Sequence, residues 1–344
     1  MHDNLTNKKI MVSRKSETSI DNYKHHRFSV APMLGWTDRH CRYFHRLLTK
    51  KALLYTEMVT TCALIYGKYN YLAYNDEEHP VALQLAGNDP EELANCAKIA
   101  NKSGYDEINF NIGCPSNKVQ NRRFGACLMR EGKLVADCIK AMQDVTTIPI
   151  TVKTRIGVDN DDNYLFLSDF IDKIITDTQC RLFIIHARKA YLSGLNPKQN
   201  RKIPPLDYAR GYKLKKDFPQ LTIVINGGIK SINEAKHQLN YFDGVMIGRK
   251  AYQNPILLTY VDFEFFDKTS FIINPITAVQ LMYPYIEREL KQGTYLSHIA
   301  RHMLEIFHGI PGARKWRHYL SENSHKKGAN LSVVKQALEL ITGK

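Results

Sequence analysis

The feature that most limits what this chain can become is an alternation repeated eight times. Short apolar runs recur through its first three-quarters: FSVAP (28–32), LLYTE (53–57), VALQLAG (81–87), EINFN (107–111), IPITVKT (148–154), RLFIIHA (181–187), LTIVING (221–227) and GVMIG (244–248). Each is rich in Val, Ile or Phe and too short for a helix, so each reads as a strand. Helical stretches separate them. In NDPEELANCAKIANKSG, Asn88 or Asp89 can cap, Pro90 suits the first turn, acids complement the positive end and Gly104 stops the helix. DNYLFLSDFIDKIIT and KSINEAKHQLN also carry apolar residues at helical spacing. Strands apolar on both faces fit a parallel sheet covered by helices, and eight such units predict a (β/α)8 TIM barrel over residues 27–265. A doubly wound open sheet is the alternative, but no G-x-G-x-x-G accompanies it.

After residue 265 the strand signal stops. AVQLMYPYIERELKQG, HIARHMLEIFHG, ARKWRHYLSENSHKKG and SVVKQALELITG are amphipathic and end in Gly, as helices do. Residues 266–344 are therefore expected to form a small helical domain, basic by eleven Lys/Arg against six Asp/Glu. Residues 1–26 read as a flexible arm.

Forty-four per cent hydrophobic and 24% charged residues exclude a disordered, collagenous or coiled-coil chain. No apolar run reaches the ~18 residues of a membrane span, and the N-terminus lacks the apolar region of a secretory signal. Seven cysteines without a C-x-x-C pair argue against a disulfide framework, a zinc ribbon or an iron–sulfur cluster, which points to a reducing cytoplasm. The net charge of +14 points to a polyanionic partner.

Polar residues fall at the strand ends, the catalytic face of such barrels. They are Pro32 with Met33, Glu57, Gln84, Asn109 with Asn111, Lys153 with Arg155, His186 with Arg188, Asn226-Gly227-Gly228 and Gly248-Arg249. The glycines and Arg249 close strands seven and eight, where barrels bind phosphate: glycine lets backbone amides approach the oxygens, and arginine adds a charged clamp. With a phosphate there, Lys153 and Gln84 would reach the head of the ligand. A cation plus an amide suits a flavin ring, whose reduced form carries negative charge.

Cys114 follows strand four between Gly113 and Pro115. Its unperturbed thiol would be protonated at neutral pH and able to serve as a general acid; a nucleophilic role would need a base or a positive environment. The pair His298 and His302 in HIARH has metal-binding spacing but no following Glu, so it reads as a basic helix face and no metal is expected. No Walker A sequence is present. Two basic clusters, 117–133 and 186–202, follow strand ends and flank the barrel mouth. Tyr191, Arg314, Trp316, Arg317 and Tyr319 add aromatics among the charges, the combination that looped or single-stranded RNA recognition uses.

Ten segments carry a family resemblance: VAPMLGWTDRHCRYFHR, LLYTEMVTT, HPVALQLAGNDP, YDEINFNIGCPSNKVQ, RFGACLM, TVKTRIG, FIIHARKAYLSGL, INGGIKS, DGVMIGRKAYQNP and GIPGARKWRHYLSEN. From about Arg27 to the C-terminus the chain resembles the tRNA-dihydrouridine synthases, the A-type members most closely. Gly35 departs from the polar or acidic residue that precedes W-T-D in many of them. The resemblance implies an FMN-binding barrel followed by a helical tRNA-binding domain. It assigns FMN contacts to Ala31, Pro32, Met33, Gln84, Lys153, His186, Asn226, Gly227, Gly228, Gly248 and Arg249, and the proton donor to Cys114. It places Asn111 on the target uracil, and Arg188, Lys189, Arg314 and Arg317 on the tRNA.

The activity so implied is reduction of the C5–C6 double bond of D-loop uridines, at positions 20 and 20a, with electrons from NADPH (NADH the alternative) passing through FMN. The uridine would be flipped out of its loop, at a cost that phosphate contacts offset. A monomer acting on tRNA is compatible with this. A dihydroorotate- or dihydropyrimidine-type small-molecule reductase is the nearest rival, and the +14 charge counts against it. An RNA-binding protein with a vestigial barrel is the rival from another class.

Overall fold

A computed structural model describes residues 21–343. All eight expected strands form, as β1 (Phe28–Val30), β2 (Leu54–Thr60), β3 (Val81–Ala86), β4 (Glu107–Ile112), β5 (Ile150–Arg155), β6 (Leu182–His186), β7 (Thr222–Asn226) and β8 (Gly244–Ile247). They pair in parallel, each with its sequence neighbour, and β1 pairs with β8. The circle closes where Val30 donates to the Leu53 carbonyl at 3.0 Å and Leu53 to that of Phe28 at 3.2 Å. This is the TIM barrel.

Side chains alternate along every strand, so the apolar residues divide into two sets. A small interior cluster contains Leu53, Tyr55, Ala82, Leu182, Ile184, Val224 and Met246. The larger set, including Phe110, Val152, Phe183, Ile185 and Ile225, faces the surrounding helices. Those helices start as their sequences dictate. Asp89 accepts from the Glu92 amide at 2.8 Å ahead of helix Pro90–Lys102, Asn163 caps Tyr164–Asp177, and Ser231 caps Ile232–Gln238.

Beyond the barrel, helices Pro275–Leu281, Tyr283–Lys291, Ala313–Asn323 and Leu331–Thr342 match the expected helical region. Pro284 lacks an amide hydrogen, which separates the first two. Their interior is continuous with the outer shell of the barrel. Tyr285 stacks on Tyr43 of helix Arg39–Leu48 with centroids 3.9 Å apart, and Arg39 forms a bidentate ion pair with Glu289.

Four expectations need correction. The arm assigned to residues 1–26 lies largely outside the described residues, but Asp21–Arg27 forms a 3-10 helix whose His26 is buried against Glu107 beneath the barrel. HIARHMLEIFHG does not form one helix: Leu296–Ala300 is helical and turns follow. His302 is thereby buried, with Nε2 3.0 Å from Asp38, while His298 stays exposed. Trp316 offers no stacking surface, because it is fully buried edge-on against Phe307 and its indole donates to the Met303 carbonyl at 3.1 Å. Glu57 does not end its strand: after a register shift between Tyr55 and Met58, β2 runs on to Thr60, with Met58, Val59 and Thr60 paired to Gln84, Leu85 and Ala86.

Candidate active site

The C-terminal ends of the strands converge on one mouth. Parallel register places Arg155 beside His186, His186 beside Asn226, and Asn226 beside Met246, so β5 to β8 present one polar rim. Lys153 sits one inward position below Arg155 and pairs in register with Asn111 of β4.

This rim is strongly cationic. Burial, reinforced by the Arg155 charge, lowers the Lys153 amine to about 7. Burial pushes His186 well below its usual range, and the charges acting on it, from Arg155, Lys153, Arg188 and Arg201, are all positive. The imidazole Nδ1 of His186 is buried without a hydrogen-bond partner among the described residues. Desolvated cations and an orphaned imidazole nitrogen call for an anionic or acceptor-rich ligand.

Strands seven and eight end in glycines. Gly227 and Gly228 take φ of +112° and +76°, and a Cβ on Gly228 would lie 2.4 Å from Leu206 Cδ1. Asn226 is anchored by donating to the Met246 carbonyl at 2.7 Å. A Cβ on Gly248 would only reach ordinary contact with Ala31 and the Met33 sulfur, so Ala31, Met33 and Gly248 lie together, with Arg249 next in the chain donating to the Arg201 carbonyl at 3.2 Å. Ala31 is held there by donating to the Ile247 carbonyl at 2.9 Å. Pro32 is partly exposed beside it. Gly35 turns left-handed at φ +77° and donates its amide to Glu57; open space surrounds its Cβ position, so backbone conformation alone favours glycine.

Beside the β5 end of this rim the Cys114 amide donates to Asn111 Oδ1 at 3.0 Å, and its carbonyl accepts from Ala126 at 2.9 Å. Burial raises the thiol above its ordinary value, while the Ser116 amide and the cations Arg155, Lys153 and Arg201 pull it down. The balance leaves a protonated thiol at neutral pH, as a general acid requires. Gln84 is buried just beneath, with its amide joined to Asn109 at 2.7 Å and Asn111 at 2.8 Å.

Residues expected at the nucleic-acid face are spread more widely. Arg188 donates to the carbonyls of Lys202 and Pro204. Lys189 pairs with Asp162 at 2.7 Å and lies over the Tyr191 ring. Arg317 meets Glu305 at 3.4 Å. Arg314 is exposed and lines a shallow groove of about 400 Å³ with Lys315, His318, Tyr319 and Leu340.

Arg155, a strand-end polar residue in the sequence, and Arg201, within the basic cluster 186–202, hold or charge the mouth. One group lies outside the sequence reading. Tyr66, Tyr69 and Tyr71 follow β2 with exposures of 71%, 70% and 39%, and the rings of Tyr69 and Tyr71 meet at 5.0 Å. Three tyrosines around Lys68, just past a strand end, were the available signal.

Comparison with known proteins decides the family. Residues 29–342 match the family model described as dihydrouridine synthase. The chain belongs to the dihydrouridine synthase family. It is 62% identical over 344 residues, all of both chains, to a tRNA-dihydrouridine(20/20a) synthase of Escherichia coli (strain K12). A protein of the same name from Salmonella typhi is 63% identical over 95% of this chain and 99% of its own. One from Vibrio vulnificus (strain CMCP6) is 62% identical over 92% and 97%. Among solved structures, a 2-naphthoyl-CoA reductase in complex with 2-naphthoyl-CoA aligns with a TM-score of 0.52 at 12% identity, over 68% of this chain and 49% of its own, a likeness of fold.

Proposed function

We propose that this dihydrouridine synthase reduces uridine in tRNA to 5,6-dihydrouridine at D-loop positions 20 and 20a, with FMN as resident cofactor, NADPH (NADH the alternative) as electron source and Cys114 as proton donor. The observation that carries the reading is the convergence on one mouth of the Cys114 turn, gripped by Arg155 at the Gly113 carbonyl, with Lys153, with the partnerless His186 nitrogen and with the glycines that end β7 and β8. The residues fit FMN. Arg249 and the Gly227, Gly228 and Gly248 backbone would hold its phosphate, beside Ala31, Pro32, Met33 and Asn226. Lys153, His186 and the Gln84 side of the mouth would face its ring, and the buried His186 Nδ1, which has no partner among the described residues, would be available to it.

FMN, when bound and reduced, supplies the hydride for C6 of the uracil. Asn111 orients that base while Cys114 Sγ delivers its proton to C5, and Lys153, lowered to about 7, adds or withholds positive charge near neutral pH. Arg188, Arg314 and Arg317 supply phosphate contacts, and Lys189 joins them by leaving Asp162. The reading takes a monomer working in the cytoplasm, consistent with seven free thiols.

The test is incubation of the FMN-loaded protein with NADPH and unmodified tRNA, followed by position-resolved mass spectrometry of the product. Dihydrouridine at positions 20 and 20a is the expected result. Reduction of free uracil or orotate at rates matching tRNA would overturn it.

A further inference from the structure

A carboxylate at the floor of the barrel is joined to the Cys114 turn by an unbroken line of side chains. Glu107 opens β4 and is buried. Its Oε2 lies 2.5 Å from His26 Nε2, and its Oε1 accepts from the Tyr55 hydroxyl at 3.0 Å and the Thr151 hydroxyl at 2.6 Å. Thr151 Oγ1 accepts from Asn109 Nδ2 at 2.8 Å, and Asn109 Oδ1 accepts from Gln84 Nε2 at 2.7 Å. Gln84 Oε1 accepts from Asn111 Nδ2 at 2.8 Å. Asn111 Oδ1 then accepts the amides of Gly113 at 3.1 Å and Cys114 at 3.0 Å. Strand register makes the line possible: Gln84, Asn109 and Thr151 are direct partners across β3, β4 and β5, all pointing inward.

The sense of the line follows from donor and acceptor inventory. A carboxylate accepts, and the Tyr55 and Thr151 hydroxyls both donate to Glu107 Oε1, so the Thr151 hydroxyl hydrogen points down to it. The Thr151 oxygen is left to accept, which obliges Asn109 to present its NH2 group downward and its oxygen upward. Gln84 and Asn111 follow in the same sense. At the top, the Asn111 oxygen is the only amide atom that can meet two backbone N–H groups. Reversal of the line would set an NH2 group against both of them.

We propose that Glu107 is a positioning residue for Cys114: through Thr151, Asn109 and Gln84 it fixes the Asn111 amide that holds the Gly113–Cys114 turn. The inference rests on the assignment of Cys114 to the reaction, but its test reads the turn without turnover. In the FMN-loaded protein the alkylation rate of Cys114 by iodoacetamide is followed by peptide mass spectrometry, with exposed Cys62 as internal control.

Thr151→Val removes one hydrogen bond from Glu107 and cuts the line; Tyr55→Phe removes one from the same carboxylate and leaves the line whole. Cys114 alkylation is expected to rise about fivefold in Thr151→Val, return to the parental rate in Thr151→Ser, and stay unchanged in Tyr55→Phe. Should the valine variant not fold, Asn109→Leu cuts the same line one step higher and is expected to give the same rise. Equal rates in the valine and phenylalanine variants, whether both raised or both unchanged, would overturn the proposal and leave the proton-donor assignment standing.

Discussion

Arg155 Nε donates to the carbonyl of Gly113 at 3.1 Å, so the end of β5 grips the turn that carries Cys114. The same guanidinium donates through Nη1 to the carbonyls of Lys189 and Asn200, each at 3.2 Å. One buried cation therefore ties the β4 turn to the long loop after β6. Among the described residues it makes no ion pair with a carboxylate, and burial lowers it to about 10.

Arg155→Met keeps the bulk but leaves three carbonyls without their donor. It should destabilise the protein by about 2 kcal/mol, the scale for hydrogen bonds to a charged group, read as a lower denaturant midpoint. It also removes a charge that pulls the Cys114 thiol down, so the pH at which Cys114 becomes half-alkylatable should move upward.

Lys153 sets a pH dependence of stability. Its folded value of about 7 lies below the ordinary 10.5, so between those limits the unfolded chain binds more protons and stability rises with pH. Lys153→Met should therefore raise the thermal midpoint of flavin-free protein most at pH 6, and the gain should shrink steadily as pH climbs from 7 toward 10. A gain that is constant with pH would refute this assignment.

Cys114→Ala should keep its bound yellow flavin and lose dihydrouridine formation by ~10²-fold or more, the usual worth of a placed general acid. Flavin absorbance checks the first outcome, and nucleoside mass spectrometry of the tRNA the second. Full turnover in that variant would remove Cys114 from the acid role.

The groove beside Arg314 and the exposed tyrosines should separate two kinds of RNA contact. Arg314→Ala should weaken tRNA binding and reduce the slope of log affinity against log salt by about one unit, as one lost phosphate contact does. Tyr69→Ala should weaken binding by about 1–3 kcal/mol with the slope unchanged, the signature of a lost stacking surface. Filter binding across a salt series distinguishes them.

Much of this architecture is legible in the sequence because parallel strands buried on both faces stand out as short continuous apolar runs between helical stretches. The runs holding Gln84, Lys153, His186 and Asn226 announced both their strands and the ends from which function projects. The line from Glu107 to Asn111 was not legible, since it depends on which residues of three strands stand side by side, and register is a tertiary property. Glu57 was misplaced for the same reason, by one irregularity in β2. The burial of Trp316 is legible: Ala313, Trp316 and Leu320 recur at helical spacing and form the buried stripe, while the arginines and lysine flanking Trp316 are the part that resembles an RNA-binding surface. His302 reads as part of a basic helix face but is buried, because the helix stops at Ala300 with no Gly or Pro there to mark it.

The stacking of Tyr43 on Tyr285 means that the catalytic barrel and the basic appendage do not have separate interiors. Neither is a module that evolution or an engineer could exchange without rebuilding a shared wall. Grafting a foreign RNA-reading tail onto this scaffold would have to begin by matching the aromatic and histidine face that the first barrel helix buries against Tyr285.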